Sequence, residues 1–178
     1  IVPAETFIYP LTGYNSPMGI TETDSALAKN MLDTAKKSAG IAENKNPEII
    51  LAIADNEYMK AQAEILRTAW EEIGVKVKIS KTPIERYLDS ISGWKADIFS
   101  YTWIGDFADP LAFLELFRSD SSMNVSGWVN PAYDSLLEKA SQKTGSERME
   151  ILSNAEDILL TDGVVLPILH LNGYKISN

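Results

Sequence analysis

The sequence predicts an α/β lobe: a mainly parallel sheet flanked by helices. Three observations carry this. An Ile-dense apolar run over 47–54 (PEIILAIA) precedes a helix-spaced run over 57–73 and an alternating run over 75–79 (VKVKI). Strand, helix and strand at this spacing make a βαβ unit, whose strands are parallel with a right-handed crossover. Two further apolar runs, 97–103 and 164–171, read as strands and alternate with helical segments. The expectation is one domain over 1–178, with a central sheet containing strands near 48–53, 75–79, 97–102 and 164–170.

The elements follow in order. Residues 1–21 hold Pro3, Pro10 and Pro17, which exclude regular helix, so this segment is extended or looped. A helix follows, capped by Thr23 or Asp24, with Leu27, Met31, Leu32 and Ala35 as its apolar stripe and Gly40 as its stop. Lys36 and Lys37 suit the negative end of its dipole. In the 57–73 helix, Met59, Gln62, Leu66, Ala69, Trp70 and Ile73 share one side, and Gly74 ends it. Pro83 to Ser92 is a short helix. Asp109-Pro110 opens another, PLAFLELF, with Asp109 as a cap and Pro110 at the first helical position. Asn130-Pro131 opens the next, carrying Tyr133, Leu136, Leu137 and Ala140. A longer helix over 146–161 points Met149, Leu152, Ala155, Ile158 and Leu159 inward.

Composition excludes several functions. Net charge is −9 and no cluster of Lys and Arg forms a basic stripe, which argues against nucleic-acid binding. Cysteine is absent, so there are no disulfides, thiol nucleophiles or thiolate metal sites. No apolar run reaches the length of a membrane span, and no signal peptide is visible. The abrupt start at Ile1-Val2-Pro3 and the end just past a strand read as cuts through a longer protein. His170, the single histidine, has no second His or Cys for a metal cage and reads as structural. Glu71-Glu72 and Glu156-Asp157 read as solvated pairs on polar helix faces. Trp70, Trp94 and Trp128 read as structural. With no nucleophile elbow and no phosphate loop, nothing supports an enzyme, a cofactor or a metal.

The informative stretch is YTWIGDFADPLAFLELFRS, residues 101–119. A strand ends at Trp103, a loop holds Gly105 and Asp106, and a helix starts at Pro110. Ligands of open α/β sheets bind beyond the carboxyl ends of strands, where this loop falls. Trp103 offers an aromatic wall and Asp106 a negative charge, a pairing suited to an ammonium group with an apolar neighbour. The same residues read blandly are a core Trp and a solvated loop Asp. Tyr101 and Asn124 are the further ligand candidates, Asn124 reading first as a turn residue. Asp109 reads as a cap alone.

Here the sequence resembles the family 5 extracellular solute-binding proteins of dipeptide, oligopeptide and nickel importers, most of all the oligopeptide-binding members. The resemblance rests on Trp103-Ile104-Gly105-Asp106 leading to Asp109-Pro110, on SDSSMNVSGWVNPAYDSLLEKA over 119–140, and on ERMEILSNAEDILLTDGVVLPILHL over 147–171, in that order and spacing. It implies a periplasmic-binding-protein-like lobe of type II in the peptide-binding cluster. On it, the chain is the C-terminal lobe of a larger two-lobed clamshell that captures peptides for an ABC importer. Asp106 then binds the peptide's N-terminal ammonium, with Trp103 lining the pocket. The implied partners are a peptide ligand, the missing N-terminal lobe and the transporter's membrane permease, with no nucleic acid. The implied location is extracytoplasmic, free in a periplasm or lipid-anchored. Alternatives of the same fold are a peptide-sensing receptor and a binder of nickel complexes or sugars. The stretch 97–101 before the motif holds no basic residue, where some peptide binders carry an arginine.

Overall fold

A computed structural model describes residues 2–19, 24–91 and 95–171. In chain order the elements are β1 (Val2–Pro3), α1 (Ser25–Ser38), β2 (Glu48–Ala54), α2 (Glu57–Glu72), β3 (Lys76–Thr82), α3 (Ile84–Ile91), β4 (Ile98–Phe99), α4 (Leu111–Leu114) with a following 3-10 turn (Glu115–Phe117), α5 (Pro131–Ser141), α6 (Gly145–Thr161) and β5 (Leu169–His170). The chain divides into two compact units, a sheet unit over 23–102 and a helical unit made of 1–22 and 103–178.

In the sheet unit, β2 lies centrally in the order β3-β2-β4. It pairs in parallel with β3 from Glu48↔Lys76 to Ala54↔Thr82, as the βαβ reading requires. Central placement explains its continuous apolar run: Leu51, Ala52, Ile53 and Ala54 are all buried. Helix α2 starts at Asn56, whose side chain accepts the Met59 N–H, and covers the sheet with Ala63, Met59, Leu66 and Trp70. The predicted stripe is right except at Ala69, which is exposed.

Two expectations for this unit need correction. Asp24 caps α1, accepting from the Leu27 N–H, but Leu27 and Met31 are 56% and 64% exposed and Ala35 is exposed as well. Of the expected stripe Leu32 is covered, and the covered side continues through Asp33 and Lys36. Its seat is polar, and Lys36 Nζ donates to the Glu43 carbonyl at 2.5 Å while its stem is buried. The strand expected over 97–103 is two residues long. Asp97 takes the Ile50 N–H on its side chain, and after Ser100 N donates to Ala52 O the chain leaves the ladder. The Tyr87 hydroxyl closes this end, lying 2.9 Å from Ala52 O and 2.6 Å from Ser100 O.

The helical unit is built on α5 packed against α6, with Tyr133, Leu137, Ala140, Leu152, Ala155 and Leu159 fully buried between them and Ile8, Tyr14 and Leu114 in the same core. Asn130 caps α5 as expected. Pro110 and α4 shorten the predicted 110–117 helix to one turn that continues as the 3-10 turn. The strand expected over 164–170 does not join the parallel sheet. Among the described residues Leu169 and His170 pair antiparallel to Val2 and Pro3, and the Ala4 N–H donates to the Ile168 carbonyl; Pro167, next in line, has no N–H to donate.

Glu156 is the largest correction. It is fully buried, not solvated. Its Oε1 accepts the N–H groups of Phe7 (3.1 Å) and Ile8 (3.0 Å), and its Oε2 accepts the Tyr14 hydroxyl at 2.6 Å. The N-terminal segment brings three donors to it, which a sequence pattern local to α6 does not reveal. Glu71 and Glu72 are exposed, as expected. Thr23, Ser92 and Trp94 lie outside the described residues.

Candidate functional site

Residues 103–109 of the helical unit lie outside helix and strand. The loop nevertheless has defined anchors. Trp103 is partly buried, and its indole N–H donates to the Ala112 carbonyl at 2.9 Å. Gly105 lies flat against α4: a Cβ there would sit 2.9 Å and 3.0 Å from ring atoms of Phe113. Any other residue must push that ring aside, so glycine is what lets the loop approach the helix. Asp109 closes the far end. Its Oδ1 accepts the Leu111 N–H at 2.9 Å, although the cap position of α4 is Pro110, one residue later than expected. It also meets Arg148 of α6 in a two-pronged pair, at 2.7 Å and 2.9 Å. Burial opposes the charge on Asp109, but the Arg148 guanidinium and the Leu111 N–H outweigh it and hold the carboxyl below the usual carboxylate range.

Asp106 stands apart from these anchors. It is exposed, and among the described residues its carboxylate takes part in no hydrogen bond or ion pair. On either side Ile104 and Phe107 are 79% and 56% exposed. The loop thus presents one uncommitted negative charge between two apolar side chains. An ammonium group attached to an apolar body is the chemistry that matches it.

The other two candidates are placed differently. Asn124 sits in a separate loop of the same unit and donates to the carbonyls of Arg118 (3.2 Å) and Trp128 (2.8 Å), while its Oδ1 accepts from Ser126 at 2.7 Å. Those bonds hold its own loop together. Tyr101 belongs to the sheet unit, just past the carboxyl end of β4, and is 38% exposed. The resemblance marks the 147–171 stretch as an Arg-containing helix, but the pairing of Arg148 with Asp109, the Phe113 ring and the tight seat of Gly105 are not among the sequence expectations. The glycine two residues after Trp103 was the available signal; nothing near Asp109 in sequence points to Arg148.

A cavity of about 270 Å³ in the sheet unit is lined by Lys36, Glu43, Asn46, Glu71 and Gly74, among others. Asn46 and Gly74 precede β2 and β3, so it opens at the amino ends of these strands. That is the end opposite to Tyr101 and to where ligands of such sheets bind. Among the described residues no cluster of His, Cys, Asp and Glu could hold a metal ion, and no helix is long and apolar enough to cross a membrane.

Known proteins share this fold and sequence. The model for the middle part of bacterial extracellular solute-binding proteins, family 5, matches residues 1–125. The dipeptide-binding protein DppE of Bacillus subtilis is 27% identical over 187 positions, covering 99% of this chain and 34% of DppE. The periplasmic murein peptide-binding protein MppA of Escherichia coli is 31% identical over 166 positions, covering 86% of this chain and 30% of MppA. The solved structure of MppA superposes with a TM-score of 0.83 at 28% identity, over 93% of this chain and 33% of that one. That of the pheromone receptor PrgZ, described with its mode of peptide binding, gives 0.72 at 31% identity, over 83% of this chain and 28% of that one.

A parallel α/β sheet with flanking helices, matched by the family model over residues 1–125, defines the class. The chain belongs to family 5 of the bacterial extracellular solute-binding proteins. It spans about a third of the length of the relatives it matches.

Proposed function

We propose that this chain is one part of the substrate-binding component of an ABC importer. It captures oligopeptides or dipeptides outside the cytoplasmic membrane as one lobe of a clamshell, and hands them to a membrane permease. It binds its ligand and does not transform it. The observation that carries this reading is the exposed, uncommitted Asp106 on an anchored loop between Ile104 and Phe107. Asp106 receives the peptide's N-terminal ammonium, and Trp103 of the same loop lines the ligand. The peptide-binding names of DppE and MppA support the choice of ligand class.

The test uses the full-length parent and the tightest-binding member of a random tetrapeptide library, measured calorimetrically with a free and with an acetylated amino terminus. Truncating one partner of a buried charge pair costs about 2–5 kcal/mol. Asp106→Asn is therefore expected to weaken the free peptide by that amount and to leave the acetylated one nearly unchanged. Equal affinity of wild type and variant for the free peptide would refute the assignment. A second reading, peptide sensing without import, is supported by the likeness to PrgZ. Peptide uptake by cells carrying the parent, against its deletion, separates the two.

A further inference from the structure

The loop that carries Asp106 has little packing at its tip, where Ile104, Asp106 and Phe107 are all exposed. A segment of this kind keeps a carboxylate in one place only if other groups fix it. Two of its anchors, the Trp103 indole and the Gly105 seat, run to α4. That helix has four residues, a single turn that depends on the burial of Leu114 and on the Tyr133 hydroxyl bonded to the Leu114 carbonyl. The third anchor runs to a different support. Arg148 lies on α6, which has 17 residues and buries Leu152, Ala155 and Leu159 completely.

We propose that Arg148 is a positioning residue for ligand binding: by clamping Asp109 from α6 it fixes the loop, so that Asp106 meets the incoming ammonium already in place. This rests on the reading of Asp106 given above. Three features of the pair carry it. Two parallel N–H···O bonds, at 2.7 Å and 2.9 Å, fix the carboxylate in rotation as well as position, which a single ammonium cannot do. The side chains are only 18% and 23% exposed, so water and salt screen the pair less than a surface pair. Finally, Arg148 matches the charge of Asp109, which leaves Asp106 as the unmatched charge of the loop. A ligand ammonium then has one destination, and less ordering remains to be done on binding.

The experiment compares the full-length parent with its Arg148→Lys, Asp106→Asn and double variants, using the free and N-acetylated forms of the same library-selected tetrapeptide. Lysine keeps the charge and loses the fork. Misplacing an anchoring group by about 1 Å costs up to about 100-fold in related settings, and about tenfold is expected here for the free peptide with Arg148→Lys. The acetylated peptide should change less than about twofold, because it does not use Asp106. In the Asp106→Asn background, Arg148→Lys should cost the free peptide nothing further.

A merely structural Arg148 would weaken both peptides alike and add to Asp106→Asn; either result overturns the proposal. If Asp106→Asn itself leaves the free-to-acetylated ratio intact, the Asp106 reading falls and this proposal with it. If Asp106→Asn collapses the ratio and Arg148→Lys does not shift it, the Arg148 proposal falls alone. Should Arg148→Lys fold poorly, Asp109→Asn decides by the same ratio, since it keeps an acceptor for the Leu111 N–H and breaks the charged fork.

Discussion

Within the sheet unit and within the helical unit, the contacts that define the fold run over different distances along the chain. In the sheet unit, β2 pairs with β3 across one intervening helix, and the same stretch supplies the apolar face that covers them. In the helical unit, Phe7, Ile8 and Tyr14 reach a single carboxylate on α6, over separations of 142 to 149 residues. Periodicity governs the first unit, because a buried face must repeat along one element. A few satisfied polar groups govern the ends of the second, because a buried charge without partners is too costly to keep.

The largest test of this difference is Glu156→Ala. It leaves the Phe7 and Ile8 N–H groups and the Tyr14 hydroxyl without their acceptor, and unsatisfied buried groups cost about 1–3 kcal/mol each. A total of about 3–5 kcal/mol is expected in urea denaturation of the 178-residue chain, within the range of the most damaging single changes. Hydrogen exchange should lose protection over 2–19 and 145–161. Equal loss along β2 and β3 would break the distinction between the two kinds of contact.

A smaller effect is expected in the sheet unit. Tyr87→Phe removes the hydroxyl shared by the Ala52 and Ser100 carbonyls. Ala52 O keeps the bond from Ser100 N, so about 1 kcal/mol is the expected cost. The loss of protection should fall at 98–100 and spare the β2–β3 ladder. A loss of several kcal/mol would mean that this one polar contact holds the unit, and the contrast with the helical unit would be gone.

Legibility in the sequence follows the same divide. The run 47–79 announces its parallel pair because alternation and 3.6-residue spacing are local signals. Asp24, Asn56 and Asn130 act as caps where capping chemistry places them or allows them. The run 164–171 looks like a core strand and is not, since its partner is the chain's own beginning and Pro167 interrupts it. Glu156 looks solvated because its neighbour Asp157 is exposed and its three donors lie far away in sequence. The Trp103–Asp106 loop was legible as a candidate, whereas its support from Arg148 was not: a cap fully accounts for Asp109 until α6 is folded against it.

The smallest effect, and the sharpest in sign, is the pH dependence of the two carboxylates in the helical unit. Asp109 is held below the usual range: burial opposes its charge, but Arg148 and the Leu111 N–H prevail. A group depressed in the folded state contributes stability above its unfolded value, about 3.9, and loses it as pH falls through the folded one. Glu156 goes the other way. Burial raises it, and the bonds from Tyr14, Ile8 and Phe7 only partly offset that. Its contribution is full below the unfolded value, about 4.3, and is lost as pH rises through the folded one. Acidifying from neutral pH toward that value therefore strengthens the fold through Glu156 before further acid weakens it through Asp109. Difference titrations isolate each group. Relative to wild type, Glu156→Gln should flatten the rise in stability between neutral pH and about 4.3, and Asp109→Asn should shrink the fall below about 3.9. Denaturation midpoints measured across this range check both signs. If Glu156→Gln instead removed a loss of stability on the acid side, Glu156 would be held as a charge, and burial would not be the stronger of the forces acting on it.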